Sequence, residues 1–205
     1  MYKRQEQTIE DAQASHFRAG ELLARTFLSV VYTEIGSYSE GLSILDEANQ
    51  PQIGNLAVSQ AFSFGAGLLA QVKSGNIEAA EKIVSIYDDG NINPYFVAKY
   101  YFNLGRCYLF LIKGDYTEAI EFATSFLETL TQSKAIFLNA ELMLIIGIAN
   151  MRLGQISEAK TKFHQGIKQA EKLGTRKILW QINYFLGMLH HDQRNEPEAS
   201  ACFQQ

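Results

Sequence analysis

The only histidine pair in this sequence is the first place to look for a metal centre. His190 and His191 are adjacent, and adjacent side chains on a helix point about 100° apart. The residues four positions further on are Arg194 and Asn195, which are not metal ligands. We therefore expect a polar helix end here and no bound metal.

Nucleophilic and phosphate-binding chemistry finds equally little support. Cys107 and Cys202 are far apart, without zinc-type spacing, and each is typical of a small packing residue in a reducing compartment. The glycine-led segments at 75–82 and 114–121 lack the Gly-Lys-Ser/Thr that would hold a phosphate. The sequence therefore predicts a non-enzymatic protein with no cofactor.

One charge pattern remains open. Basic side chains recur every four residues and then continue a little further: Lys160, His164, Lys168, Lys172, Arg176 and Lys177. The stripe could dock an acidic partner or nucleic acid. It could also be the solvated outer face of a helix, with Glu158 and Glu171 as counter-charges. We favour the solvated face, because the two glutamates supply local counter-charges. Separately, the net charge of −4 argues against a nucleic-acid partner for this segment.

Bulk composition is that of a globular chain. Of the 205 residues, 47% are hydrophobic and 20% are charged, and only three are proline, as a helical protein would have. The longest apolar run, residues 142–149, is far shorter than the roughly 20 residues that span a bilayer. The N-terminal residues contain no apolar segment of the signal-peptide type. The sequence predicts a cytoplasmic protein that does not enter a membrane.

A short motif recurs through the chain and reveals the elements that would position any site. Its copies are GSYSEG at 36–41, GNIEAA at 75–80, GDYTEA at 114–119, GQISEA at 154–159 and RNEPEA at 194–199. Successive copies are separated by a nearly constant interval of about 40 residues, and a fixed period of this length is the mark of a repeat protein.

Each copy of the motif has the features of a turn between two helices. In the fourth copy, Gly154 can take the left-handed conformation that ends a helix, and Ser157 with Glu158 favours starting another. The small residues Ala119 and Ala159 follow where two helices would approach closely, so we predict that both are fully buried. Each repeat is therefore a helical hairpin that must stack on its neighbours to bury its apolar face.

These residues resemble the tetratricopeptide repeat. The fourth repeat matches the family pattern with Ile146-Gly147, Gly154, Ile156, Ala159 and Phe163, and the fifth with Leu186-Gly187, Ala199 and Phe203. The resemblance implies an all-α fold, a right-handed α-solenoid of about five tetratricopeptide-like hairpins and about ten helices. Departures occur at Gly41, at Arg106-Cys107, at the reversed Gly67-Leu68 pair and at Arg194 in place of the turn glycine.

The repeat boundaries divide nearly the whole chain. Residues 6–205 form the predicted solenoid, with repeats around 12–50, 56–90, 95–132, 135–174 and 178–205. Residues 1–5, MYKRQ, translate a transposon-end sequencing adaptor, so we interpret them as an artefact. We expect the solenoid to be truncated within the last hairpin, which predicts a partly uncovered apolar face around Trp180, Phe185, Met188 and Phe203 and self-association at high concentration.

The resemblance also implies a binding surface. In such arrays the first helix of each repeat lines a concave groove, which places these residues in it: Tyr101, Tyr108, Glu141, Ile148, Arg152, Gln181, Tyr184, Met188 and His191. Tyrosine and methionine offer adaptable contact area, and Arg152 could hold a carboxylate. Many of these side chains could instead pack between repeats. The cation pairs of chaperone-binding arrays are missing, which argues against that ligand class.

Two functions follow from the resemblance. The first is a protein-protein interaction module that binds a peptide, a helix or another domain of the same chain in its groove. The second is suggested by the long period, which is similar to that of the longer repeats of MalT-like bacterial regulators. It is the sensory or regulatory arm of a multidomain signalling ATPase, nucleotide cyclase or transcription regulator.

Overall fold

The computed structural model describes residues 2–48, 57–88 and 98–204, and every regular element in these ranges is helical. The helices are α1 (Tyr2–Ala14), α2 (Arg18–Glu34), α3 (Tyr38–Ala48), α4 (Ala57–Lys73), α5 (Ile77–Ile86), α6 (Ala98–Lys113), α7 (Tyr116–Gln132), α8 (Asn139–Arg152), α9 (Ile156–Leu173), α10 (Arg176–Asp192) and α11 (Glu196–Phe203). A short 3₁₀ turn, Ile136–Leu138, precedes α8. The prediction of an all-α array of helical hairpins is confirmed.

The helices pair as the sequence period predicts. The five motif copies form the turns of α2–α3, α4–α5, α6–α7, α8–α9 and α10–α11, which we number as hairpins one to five. The helix beyond the expected ten is α1, which packs on α2. Gln13 on α1 donates a hydrogen bond of 2.8 Å to the buried Glu21 on α2, so this first helix is tied to the array.

The same type of backbone turn occurs at every described junction between consecutive helices. The residue at the turn has a positive φ, between 55° and 86°, and the next amide donates to the carbonyl five residues earlier at 2.8–3.0 Å. This is the Schellman arrangement, which satisfies carbonyls that the helix end leaves unpaired. Gly154 adopts it as predicted, but His16, Lys134 and Arg194 adopt it as well.

The small residue after each turn lies at the contact between paired helices. Ala119 and Ala159 are completely buried, as predicted, and Ala80 and Ala199 occupy the same position in their hairpins. Gly41 takes this position in the first hairpin because a Cβ atom there would lie 3.1 Å from the carbonyl oxygen of Ser29.

The chain divides into two compact units, residues 1–109 and 110–205, which we call the N-terminal and C-terminal units. A core cluster of the N-terminal unit contains Leu68, Val72, Ala80, Phe102 and Leu109. The C-terminal core is formed by α8, α9 and α10 and contains Ala140, Leu144, Ile148, Ala159, Phe163, Ala170, Ile178, Ile182, Leu186 and Leu189.

Candidate functional site

The predicted groove residues fall into two groups. Tyr101 and Tyr108 lie on α6 in the N-terminal unit, and the other seven lie in the C-terminal unit. Of those seven, Glu141, Ile148 and Arg152 are on α8, and Gln181, Tyr184, Met188 and His191 are on α10. Because α8 packs on α10, their two exposed edges form the candidate site that we describe here.

The tyrosine pair on α6 has a packing role. The ammonium group of Lys73 lies 4.9 Å from the centre of the Tyr108 ring and 2.6 Å from a carboxylate oxygen of Glu34. Lys73 thus joins α2, α4 and α6 through an ion pair and a cation–π contact. Tyr101 is half-buried. Tyr108 is therefore engaged within its own unit.

On α8 the three predicted groove residues differ in exposure. Ile148 is only 9% exposed and belongs to the C-terminal core, so it offers almost no surface to a partner. Glu141 is half-buried and Arg152 is exposed. These two charges lie three helical turns apart, which separates them by about 16 Å along the helix axis.

Gln181 on α10 occupies the position that Glu141 occupies on α8, one repeat earlier. Its side chain is half-buried, and its Oε1 atom is buried and accepts no hydrogen bond from the described residues. A buried carbonyl oxygen without a donor costs free energy, and rotation of the half-buried side chain would bring this oxygen within reach of a donor on a bound partner. Gln181 is thus a candidate hydrogen-bond acceptor for a ligand.

Tyr184 and Met188 lie three and seven residues after Gln181, so the three side chains follow one side of α10. Their equivalents one repeat earlier are Leu144 and Ile148, which are both buried in the core that α8 and α10 share. Tyr184 is 43% exposed, and Met188 is half-buried. The two side chains therefore occupy the face on which, in the fourth hairpin, the next helix packs.

The histidine pair ends α10 and lies beside α9 and α11. The Nδ1 atom of His191 lies 3.0 Å from Oε1 of Glu196. Burial lowers the pKa of His190, and the positive charge of Lys160 lowers it further, whereas Glu198 acts in the opposite direction. His190 is thus neutral at pH 7, and its buried Nδ1 makes no hydrogen bond with the described residues.

The basic stripe lies on α9. The ammonium group of Lys160 donates a hydrogen bond of 2.7 Å to Oε1 of Gln193, and Lys160 is half-buried. His164, Lys168 and Lys172 are exposed. The docking face and the solvated face therefore both remain predictions for this stripe. Lys168, which is exposed, offers a control position for charge reversals elsewhere.

The cysteines and other potential ligands offer no reactive centre in the described ranges. Cys107 is completely buried. Burial and the nearby carboxylate of Glu198 raise the pKa of the Cys202 thiol, and a protonated thiol is a weak nucleophile. Within residues 2–48, 57–88 and 98–204, no three His, Cys, Asp or Glu side chains are grouped to hold a metal ion.

Sequence reasoning missed a cavity in the N-terminal unit. Its volume is about 410 Å³, and it lies between α3, α4 and α5, lined by Leu42, Leu45, Asp46, Ser63, Phe64, Gly67, Gln71 and Ile83. Buried hydroxyls lie nearby: Thr26 shares a hydrogen bond of 3.1 Å with Ser63. The sequence signal was present, because Thr26, Ser29 and Thr33 are polar residues at helical spacing on an otherwise apolar face.

Comparison with known proteins identifies one repeat. The sequence profile described as "Tetratricopeptide repeat" matches residues 98–128, which include α6 and most of α7. No curated protein matches the chain. The profile match and the all-helical hairpins support a tetratricopeptide-type repeat protein, and such repeats generally mediate protein–protein interaction.

In the described part of the chain, no helix is both long enough and apolar enough to span a membrane.

Proposed function

We propose that this chain is a non-enzymatic protein–protein interaction module, and that it binds a peptide or a helix of its partner across α8 and α10. The observation that carries the proposal is the tetratricopeptide match at residues 98–128, in an array of helical hairpins with a fixed sequence period. The absence of a reactive motif from the sequence agrees with a binding role.

Three side chains would make the principal contacts. Gln181 would turn its side-chain amide outward, and its Oε1, which has no donor among the described residues, would accept a hydrogen bond from a backbone or side-chain N–H of the ligand. Arg152 is exposed and would hold a carboxylate through two parallel hydrogen bonds. Glu141 would pair with a cation further along the same ligand. The proposed ligand is therefore a polar peptide segment with an acidic residue near one end and a basic residue near the other.

Selection from a displayed random-peptide library tests this proposal, because the library samples many ligand sequences at once. We expect the selected peptides to share an acidic position and to lose roughly tenfold in affinity when Arg152→Glu reverses the charge. Gln181→Leu should also weaken binding, because it removes the acceptor.

The matched control is Lys168→Glu, which makes the same charge reversal at an exposed position on α9. It should leave the affinity nearly unchanged, because an isolated surface charge contributes little. If the selected peptides lost affinity for Lys168→Glu but not for Arg152→Glu, the basic stripe would be the binding surface, and our assignment would be wrong.

The cavity between α3, α4 and α5 supports a second candidate function, a regulatory arm that binds a small effector. Its volume, about 410 Å³, falls in the range of small-molecule sites, and the buried Oε1 of Gln71 accepts no hydrogen bond from the described residues. Ligand-observed NMR with a fragment library would test it. Binding should disappear in Gly67→Leu, which fills the cavity; binding that survives would rule this site out.

A further inference from the structure

Three aromatic side chains are exposed side by side at the α10–α11 hairpin. Trp180 is 62% exposed, Tyr184 43% and Phe203 52%. The ring centres of Trp180 and Tyr184 are 6.0 Å apart, and the planes of the two rings differ by 21°. The ring centre of Phe203 lies 6.1 Å from that of Tyr184. Their equivalents one repeat earlier are all buried in the core that includes α10: Ala140, Leu144 and Phe163. This face is therefore built in the manner of a helix-packing face.

The exposed row of α10 is self-complementary about Tyr184. It contains Arg176, Trp180, Tyr184, Met188 and Asp192, each four residues from the next. Residues at this spacing form one ridge on a helix surface, and such ridges interdigitate when helices pack. An antiparallel copy centred on Tyr184 would place Arg176 opposite Asp192 and Trp180 opposite Met188. The first pair is a salt bridge, and the second is a favourable sulfur–aromatic contact.

The two charges at the ends of this row lie where they destabilise their own helix. Arg176 is the first residue of α10 and Asp192 is the last. The helix dipole disfavours a cation at the N-terminus and an anion at the C-terminus. A sequence that keeps unfavourable charges at both ends of one helix indicates a role outside that helix. In an antiparallel pair of α10 helices, Arg176 of each copy would lie next to Asp192 of the other, so both charges would be neutralised.

We infer that the α10 ridge is a homodimerisation surface, on which a second copy of this chain packs with its own α10 antiparallel. The two-fold axis passes beside Tyr184, Phe203 borders the contact, and two symmetric Arg176–Asp192 ion pairs close its ends. Gln181 borders this surface, but Arg152 lies on α8 and is not part of it. The Arg152→Glu variant therefore tests peptide binding without changing the α10 ridge, so each proposal can fail without the other.

Sedimentation equilibrium of the full chain, without any peptide, is the first test. We expect a concentration-dependent equilibrium between monomer and dimer, and Tyr184→Ala should weaken it at least tenfold, as the loss of a central aromatic does. A chain that remains monomeric up to about millimolar concentration, or one that forms open polymers in place of dimers, would overturn the inference.

Charge reversal gives the sharper test. Arg176→Asp alone and Asp192→Arg alone each replace two attractive pairs with two repulsive ones, so each should weaken self-association by roughly tenfold. Both changes match the helix dipole better than the native residues, so neither should unfold α10. In an equimolar mixture of the two variants, one copy is acidic at both positions and the other is basic at both. Each mixed dimer therefore has an attractive acid–base pair at both ends, and association should recover.

The mixture separates charge pairing from general stickiness, whereas the single variants test the antiparallel geometry, because a parallel pair would already hold like charges opposite each other. Restored association in the mixture, seen by energy transfer between differently labelled variants, supports the inference. Association that is no stronger in the mixture than in either variant alone would overturn it. Lys168→Asp, a charge reversal on the exposed face of α9, is the matched control and should leave the dimer unchanged.

Discussion

At the residue scale, Arg194 stores strain that the equivalent glycines avoid. Its φ is 59°, in the left-handed region, and it holds the turn position that Gly154 holds one hairpin earlier. A side chain in this conformation costs about 1–2 kcal/mol, whereas glycine adopts it freely at some cost in unfolded-state entropy. We expect Arg194→Gly to raise the free energy of unfolding by about 0.5–1 kcal/mol in urea melts.

The converse substitution is the control for this prediction. A Cβ atom at Gly154 would meet no atom within 4 Å, so Gly154→Ala changes only the backbone preference. It should lower the stability by about 1 kcal/mol. Equal stability of both variants and the parent would show that the left-handed turn carries no strain.

His190 makes stability depend on pH. Its pKa in the folded protein is lowered, chiefly by burial and then by Lys160, relative to about 6.5 in an unfolded chain. Protons therefore bind the unfolded state more readily. The contribution of His190 to stability is complete above about pH 6.5 and is lost as the pH falls through the lower folded pKa.

Thermal melts between about pH 8 and pH 5 would measure this effect. The parent should lose more stability on acidification than His190→Gln, whose side chain has no charge to gain. Parallel curves for the parent and His190→Gln would contradict the burial argument.

At the element scale, close helix contacts are set by single small residues. Ala159 is completely buried in the C-terminal core. Three added carbon atoms would overpack the α8–α9 contact, so Ala159→Leu should cost about 1–3 kcal/mol. A denaturant melt that matches the parent would show that the repeat register is wrong at this hairpin.

Two glycines within helices should respond in opposite directions to alanine. A Cβ atom at Gly147 would lie 2.4 Å from Cε1 of the buried Phe163, so Gly147→Ala should destabilise by about 1–3 kcal/mol. At Gly67 the nearest atoms, on Ile83 and Leu45, would be 3.8 Å away. Gly67→Ala should therefore stabilise α4 by about 0.5–1 kcal/mol. Urea melts of the pair would check both signs.

The sequence predicted the hairpins because each depends on a local signal. The turn residue, the small residue after it and the apolar spacing recur within one repeat, and all are visible without knowing which hairpins touch. The same close packing recurs in consecutive repeats: a Cβ atom added at Gly147 would lie 2.4 Å from the ring of Phe163, and one added at Gly187 would lie 2.4 Å from the ring of Phe203. Local repetition therefore made the fold class and the buried alanines predictable.

Contacts between neighbouring hairpins were less predictable. Gly67-Leu68 appeared reversed against the repeat pattern, but a Cβ atom at Gly105 would lie only 2.7 Å from Cγ of Leu68. Leu68 on α4 thus fills the space that Gly105 leaves on α6. The large residue Leu68 at a position where the repeat usually has a small one is therefore compensated by Gly105 in the next repeat. Comparing each repeat with the family pattern separately cannot reveal this contact.

At the scale of the whole molecule, the sequence assigned the candidate site to α6, α8 and α10 but did not separate its buried positions from its exposed ones. Ile148 and Met188 hold equivalent positions in consecutive repeats, yet the first is buried and the second is half-buried. The exposed aromatic face and the unpaired oxygen of Gln181 depend on packing between helices, which a linear pattern does not contain.

The proposed binding function is tested most directly by NMR titration of the full chain with a peptide selected from the library. At 23.0 kDa the protein suits backbone and methyl shift mapping. We predict that the largest shift changes fall on the side-chain amide of Gln181 and around Arg152 on α8, and that they vanish in Arg152→Glu. Shift changes confined to α9 around Lys168, or no saturable change at all, would contradict the account.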